Sequence, residues 1–384
     1  MTVRLYDSDP YQAEMTAEIV RKELRDGLYR VVLDRTVFCP RGGGQPGDQG
    51  KINGIELVDL IEEEGEIIHL IGADPGTGTA KLDLAFDRRY DHMQQHTAQH
   101  LLSQYLQREM GINTLSFAIG PDHSSIELSV TALTDDEIDA IEDGCSRLIF
   151  RGMPVTIRET GDADSIHLRK PAKKTGTIRV VSIGDYDHSA CGGTHVRQTG
   201  ELGAIKIIRT DKVRGHLRVY YLAGLRALSD HQAKTRILAR IQRLVTLPPA
   251  EIPDGIESLI RERDELAREV KTLRRRELDA EVTTLAATTD LLIVRRFDDG
   301  GIEAMRYFTA ALLQTGKNVL AYHPALGYIQ VGCGSGATNL KALAPEIFSL
   351  LAGKGGGRET LIEGKAADFS RLDEVIGLLQ RSFA

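Results

Sequence analysis

The chain of 384 residues is 41% hydrophobic and carries 48 basic against 55 acidic side chains, a formal net charge of -7. That length supports two or three domains with cores of their own, and the acidic balance argues against indiscriminate nucleic-acid binding, which depends on a phosphate-facing positive field. Four scattered cysteines, Cys39, Cys145, Cys191 and Cys333, make no disulfide framework, and neither a signal-peptide core nor a membrane-length apolar stretch is present, so a cytoplasmic protein without membrane contact is expected.

From Val3 to about Ala85 the pattern is of short strands. Tyr29 to Leu33, Lys51 to Leu60 and Glu66 to Ile71 are alternating or β-branched and are separated by Gly, Asp and Asn, which predicts a small antiparallel barrel. Within it runs TVFCPRGGGQPGDQG, Thr36 to Gly50. So much glycine implies a backbone that something approaches closely. No Lys-Ser or Lys-Thr follows and no helix begins there, so this is not a phosphate-cradling loop; a plain hairpin loop is the alternative.

A helix is predicted over Asp91 to Met110, ended by Gly111, and near its start stands HTAQH, with His96 and His100 on one helical face. Such a pair can offer two imidazole nitrogens to one ion, although His92, one turn earlier, shows how readily the spacing arises. A second cluster, CGGTH, sets Cys191 and His195 on either side of a glycine turn. Together His96, His100, Cys191 and His195 supply three nitrogens and a thiolate, a closed or nearly closed tetrahedral set of the kind zinc occupies. Between the clusters a strand is predicted over Ser125 to Ser129, a helix over Thr134 to Phe150 and a strand over Thr177 to Ile183. Strands at Ala204 to Ile208 and Leu217 to Leu222 close an α+β unit. Arg169, Lys170, Lys173, Lys174 and Arg179 form a local basic cluster, as do Arg274 to Arg276; each is a basic surface or a solvated face.

From Ala223 to about Ala286 the chain is helical. Leu259, Leu266 and Leu273 recur every seventh residue, an imperfect coiled-coil seam, and the prolines of Leu247 to Pro253 must interrupt it, which predicts a helical hairpin. The last hundred residues read as an α/β unit, with strands at Leu291 to Val294, Val319 to His323 and Tyr328 to Val331, and helices at Met305 to Leu313, Leu340 to Leu351 and Leu372 to Leu379. Between the last two helices lies a glycine run, Gly353 to Arg358. It is read either as a flexible loop or as backbone N–H groups that, with Lys354 and Arg358, face a phosphate.

HTAQHLL and CGGTHV, with the upstream Thr36, Phe38-Cys-Pro, Gly-Gly-Gly-Gln45, Gly47-Asp48 and Gly50, resemble the editing domain of alanyl-tRNA synthetase, and still more its free-standing relatives, the AlaX trans-editing proteins. The histidine and cysteine pairs are shared with the editing domain of threonyl-tRNA synthetase, but the glycine motif points to the alanyl branch. The C-terminal unit is similar to the domain that follows a coiled coil in alanyl-tRNA synthetase and recurs in DHH-type phosphoesterases. The likeness covers nearly the whole chain, in the manner of the long AlaX form. Two departures stand out: Cys39 occupies a position that is aromatic in many relatives, and the C-terminal glycine run is short. The fold so expected is a multidomain α+β chain: an N-terminal β-barrel at 1–90, a zinc-binding editing domain at 91–222, a helical hairpin or coiled coil at 223–286 and a C-terminal α/β domain at 287–384 for tRNA binding or dimerisation.

The resemblance implies ATP-independent hydrolysis of the ester joining a wrong amino acid, serine or glycine, to tRNA(Ala), with one zinc on His96, His100, Cys191 and His195. The aminoacylation half of a synthetase is absent, so the chain is not expected to charge tRNA. Whether four side chains bind the metal, or three and a water, is open. The residues between the histidines are Thr-Ala-Gln, without the glutamate of HExxH peptidases, which disfavours peptide hydrolysis. Thr36 is the expected contact for the serine hydroxyl that alanine lacks, and Gln45 the contact for substrate or attacking water. Gly43, Gly44, Asp48, Gly192, Gly193 and Thr194 are expected near the substrate, and Arg214, Arg218, Lys354 and Arg358 along the RNA. The rival readings are Cys191 as a nucleophile with His195 as base, a threonyl-type editing substrate, a non-catalytic zinc-containing tRNA-binding module, and a phosphoesterase acting through the C-terminal unit. A homodimer is the oligomer considered.

Overall fold

The computed structural model describes residues 1–161, 167–171 and 176–384; Lys173 and Lys174 of the basic cluster lie outside them. The chain is a mixed α+β protein with several sheets, divided into two units, Met1–Arg240 and Ile241–Ala384.

The first unit opens with eight strands: β1 (Val3–Arg4), β2 (Glu14–Arg25), β3 (Leu28–Leu33), β4 (Arg35–Thr36), β5 (Gly50–Ile52), β6 (Ile55–Glu63), β7 (Glu66–Ile71) and β8 (Thr79–Leu84). Six of them hydrogen-bond in the order β2-β3-β7-β6-β5-β8, and β8 pairs back with β2. Alternation drives this arrangement: Ala80, Leu82 and Leu84 of β8 are buried while Thr79, Lys81 and Asp83 are exposed, so one face of each strand joins a core with Val31, Ile52, Ile67 and Ile71. The stretch Lys51 to Leu60, read as one strand, is two. Asn53 and Gly54, at φ 50 and 80, turn the chain between β5 and β6, a two-residue hairpin that needs a left-handed backbone at both corners.

The helix α1 (Phe86–Met110) starts at Phe86 rather than Asp91, because Phe86 stacks on Tyr90 and Arg89 is fully buried in an ion pair, features no apolar periodicity reveals. Its residues from His92 to Ser103 are buried, polar and apolar alike, and Gly111 ends it at φ 68. Around it lie β9 (Thr114–Ile119), β10 (Ser124–Leu128), α2 (Asp135–Phe150), β11 (Val155–Thr160), β12 (Ile178–Ile183), β13 (Asp187–Ala190), β14 (Ile205–Val213), β15 (His216–Ala223) and α3 (Gly224–Val245). The strands form two antiparallel sheets, β14-β15-β10-β9 and β11-β12-β13. Thr134 caps α2 through a reciprocal bond with Glu137. Leu101, Leu102, Ile126, Ile149, Val219 and Tyr221 are among the core residues that clamp α1 from several sides.

The second unit contains α4 (Ile252–Ala286), β16 (Leu292–Arg296), α5 (Gly301–Gln314), β17 (Asn318–His323), β18 (Tyr328–Gly332), α6 (Leu340–Leu350), β19 (Lys354–Arg358), β20 (Leu361–Lys365) and α7 (Leu372–Phe383). Its sheet runs β16-β17-β18-β20-β19, parallel only at β16-β17. The glycine run is not a flexible loop: from Lys354 to Arg358 it is the edge strand β19, paired antiparallel with β20. Glycine is required there by packing: a Cβ at Gly355 would stand 2.1 Å from Phe348 Cζ. Leu259, Leu266 and Leu273 of the heptad series are each about half exposed. No helix among the described residues is long and apolar enough to cross a membrane.

Candidate metal centre

His96 and His100 leave α1 one turn apart, and the loop after β13 brings Cys191 and His195 to them. The four ligand atoms all lie within 4.8 Å of one another. Cys191 Sγ stands 3.4 Å from the Nε2 atoms of both His96 and His195. The three histidines are buried and Cys191 is half-buried.

Each imidazole is anchored from behind by its other nitrogen. His96 Nδ1 is 2.9 Å from Gln45 Oε1, which also accepts the Thr194 amide at 3.1 Å, while Gln45 Nε2 donates to Thr194 Oγ1 at 2.8 Å. Because the Thr194 amide can only donate, Oε1 is the acceptor and His96 Nδ1 carries its proton outward, leaving Nε2 for the cluster. His100 Nδ1 lies 3.0 Å from Asp187 Oδ2, and Asp187 is held in turn by Arg169 and Ser189. His195 Nδ1 lies 3.0 Å from Thr97 Oγ1, which also accepts the Val196 amide. Gln45, Asp187 and Thr97 thus aim three Nε2 atoms at one point, the outer support that histidine ligands of metals usually have.

The charge balance suits a cation. Burial would raise the Cys191 thiol, but the His96 and His195 imidazoles and bonds to His100 and His195 hold it well below its ordinary value, toward thiolate. Burial, reinforced by His96, pushes His195 down to about 3, so its imidazole is neutral. Burial would also lower His100, yet the bonds to Asp187 and Cys191 carry it up to about 9. A thiolate and neutral imidazoles are the forms in which these groups ligate, and His100 must release its proton to join them. Three nitrogens and one sulfur converging in this way could hold a metal ion such as zinc.

The glycine motif is explained by the turn it makes. Gly42 and Gln45 exchange backbone hydrogen bonds across Gly43 and Gly44, whose φ values are 55 and 86, and the turn delivers Gln45 to His96. A Cβ at Gly44 would meet Phe117 Cδ1 at 2.7 Å; Phe117, half-buried, lies with its ring centroid 5.1 Å from that of His96. Asp48 is buried, and its oxygens are engaged by the Arg89 guanidinium and by the Cys39 amide. Arg89 also donates to the carbonyls of Pro10 and Val37, so this pair fastens α1 to the motif.

Thr36 lies in β4, its hydroxyl 2.8 Å from His69 Nε2 and accepting the Phe38 amide at 3.1 Å. Arg214, at φ 51, and Gly215 form the turn between β14 and β15, while the Arg218 guanidinium is paired with Glu127. Lys354 and Arg358 belong to the second unit, in β19. Sequence reasoning overlooked Thr97, Asp187, Arg89 and His69. Thr97 alone carried a signal, since it is buried between the two helix histidines at ligand spacing. His92, also buried, is not one of the four.

Residues 178–220, which include the Cys191 loop, match the family described as the threonyl and alanyl tRNA synthetase second additional domain. The alanyl-tRNA editing protein AlaX-L of Pyrococcus horikoshii is 33% identical over 95% of this chain and 95% of its own length. The alanyl-tRNA editing protein Aarsd1 of Mus musculus is 28% identical over 99% of this chain and 94% of its own. The alanine–tRNA ligase of Pyrococcus abyssi is 29% identical across 98% of this chain, which spans 43% of that enzyme. With a third of the residues shared along nearly the whole of both chains, this protein belongs to the family of alanyl-tRNA editing proteins typified by AlaX-L.

Proposed function

We propose that the protein is a zinc-dependent deacylase that hydrolyses the ester of mischarged tRNA(Ala), chiefly Ser-tRNA(Ala) and also Gly-tRNA(Ala). The observation that carries this reading is the convergence of three outward-anchored imidazoles and a depressed thiol beside the Gln45 turn. Zinc held there would supply positive charge to a developing oxyanion. The chain's own residues do the rest. An aminoacyl ester is already activated, so holding its carbonyl in place and excluding bulk water account for most of the task. Gln45 fixes the His96 ring and the Thr194 backbone together, and its Nε2 is committed to Thr194 Oγ1, so it sets the shape of the site around the scissile bond.

Thr36 is the residue we assign to serine recognition, and its hydrogen bonds define how. His69 Nδ1 faces the Val31 carbonyl at 3.1 Å and therefore carries the proton, so the Thr36 hydroxyl donates to His69 Nε2 and accepts from the Phe38 amide. One lone pair remains, and a serine hydroxyl would donate into it; alanine leaves it empty. Sites of this kind reach selectivities of roughly 10⁴ to 10⁵ when a buried polar group loses its partner. Residues 1–90 and 91–222 are read as the catalytic part, 223–286 as a helical hairpin, and 287–384, with Lys354 and Arg358 on β19, as the part that engages tRNA or a second copy. Arg214 and Arg218 are assigned to the acceptor end of the RNA.

The depressed thiol favours one competitor, Cys191 as nucleophile with His195 as base. One experiment separates them: deacylation of Ser-tRNA(Ala) and Ala-tRNA(Ala), with and without a chelator. Release of serine but not alanine, abolished by chelation and restored by zinc, supports the deacylase as stated. Chelator-resistant release assigns the chemistry to Cys191, and tRNA binding without release makes the centre purely structural.

A further inference from the structure

Arg179, on β12, controls the shape of the loop that carries Cys191. Its carbonyl accepts the Cys191 amide at 3.0 Å, and its Nη1 donates to the carbonyls of Cys191 and Gly193, each at 2.8 Å. Three hydrogen bonds from one residue therefore define the turn between Cys191 and Gly193. The side chain is only 10% exposed; Asp7 Oδ1 forms an ion pair with Nε at 3.4 Å, but neither Nε nor Nη2 has a hydrogen-bond partner among the described residues. Burying a guanidinium with an N–H group unsatisfied is unfavourable, so the fork is held there against its solvation preference.

The geometry has a direct result. With the two carbonyls turned to Arg179, the Gly193 amide faces Cys191 Sγ at 3.4 Å and the Thr194 amide faces Gln45 Oε1 at 3.1 Å. The loop's donors thus line the side of the cluster, where they hold the Cys191 sulfur and the glutamine that orients His96.

We propose that Arg179 is a positioning residue for the metal centre: by grasping both loop carbonyls it places Cys191 Sγ and the His195 imidazole against the two imidazoles of α1. The inference rests on reading these four side chains as metal-binding, and not on the identity of the substrate. Zinc affinity is measured on the full chain by competition with a chromophoric chelator, alongside the thiolate charge-transfer band of the cobalt-substituted protein and thermal unfolding. Arg179→Met is expected to lose about 10- to 100-fold in zinc affinity, as changes behind a metal ligand do, and to shift the cobalt band. Arg179→Lys should fall between, because an ammonium can donate to both carbonyls but sits on a flexible stem without the fixed N–H directions of the Nη1 group. Asp7→Asn should keep wild-type affinity, since it leaves both carbonyl bonds in place. Wild-type affinity and an unchanged cobalt band in Arg179→Met, even with a lowered melting temperature, overturn the proposal; should that variant not fold, the same result in Arg179→Lys does so. A wild-type protein that binds zinc yet releases no amino acid sinks the deacylase reading alone.

Discussion

Gln45 Oε1 lies 2.9 Å from His96 Nδ1 although the two residues come from a glycine turn and from the middle of a buried helix. The same oxygen accepts the amide of Thr194, adjacent to His195, so a single carboxamide joins three separate pieces of chain around the cluster. Only the turn through Gly43 and Gly44 lets Gln45 reach that point, which is why the motif is rich in glycine and ends in an amide rather than an apolar side chain.

Replacing Gln45 by leucine should therefore act on the metal before it acts on substrate. The His96 Nδ1–H and Thr194 N–H would both be buried without acceptors, at about 1–3 kcal/mol each. We expect about 10- to 100-fold weaker zinc binding, read by chelator competition. Gln45→Glu keeps the acceptor and should lie closer to wild type. If Gln45→Leu retains zinc normally but fails to release serine, the glutamine serves the substrate alone.

The Arg89–Asp48 pair makes a different prediction, about stability. Both side chains are essentially sequestered from solvent, at 0% and 1% exposure. Arg89→Met strands a buried carboxylate and should cost about 3–5 kcal/mol, whereas the double variant Arg89→Met/Asp48→Leu should recover much of that loss. Chemical denaturation measures both. tRNA affinity, measured where Asp48→Asn is folded, should match the wild type; a selective loss would return Asp48 to the substrate side.

These two residues also mark where the sequence stops being informative. His96 and His100 are legible because ligand spacing coincides with helical spacing, and Cys191 and His195 because a glycine turn brings two ligand types together. Asp187, Thr97 and Gln45 act through the far nitrogen of each ring, a relation that joins residues up to a hundred positions apart and leaves no periodic trace. Charges such as Arg89 and Asp48 look like surface until the fold buries them. Among the strands, β3 and β7 are visible through their apolar and β-branched residues, while β2 is exposed along most of its length and β19 has three glycines, so neither carries a hydrophobic pattern. The Asn53–Gly54 corner did carry a turn signal, one that the alternating apolar residues on either side of it obscured.

A third prediction concerns acid. His69 is buried in the first unit between Thr36 and the Val31 carbonyl, and burial pushes it down to about 4, with only the Val31 bond opposing. The unfolded chain, with a histidine near 6.5, then binds a proton that the native state refuses. The stabilisation is complete above about pH 6.5 and is lost as pH falls toward 4, at up to about 1.4 kcal/mol per pH unit. Melting temperature measured from pH 7 to pH 4 should fall more steeply in the wild type than in His69→Gln. Identical slopes would show that His69 protonates freely in the folded protein.

The sharpest contrast is between two adjacent glycines. A Cβ built on Gly192 meets nothing within 4 Å, whereas one on Gly193 would stand 2.2 Å from His96 Cε1 and 2.9 Å from Gln45 Oε1. Neither glycine has the positive φ that would penalise alanine by itself, so the difference is purely one of space. Gly192→Ala should keep wild-type zinc content and nearly wild-type stability. Gly193→Ala cannot keep the His96 ring in place; the ring must rotate away from the cluster and its bond to Gln45 must break, so the variant should retain little zinc after dialysis and show no deacylation. Far-ultraviolet circular dichroism should stay native in both, because the remaining core of α1 is untouched. If Gly193→Ala holds zinc as tightly as Gly192→Ala, the loop approaches α1 less closely than described and the four side chains do not form a single centre.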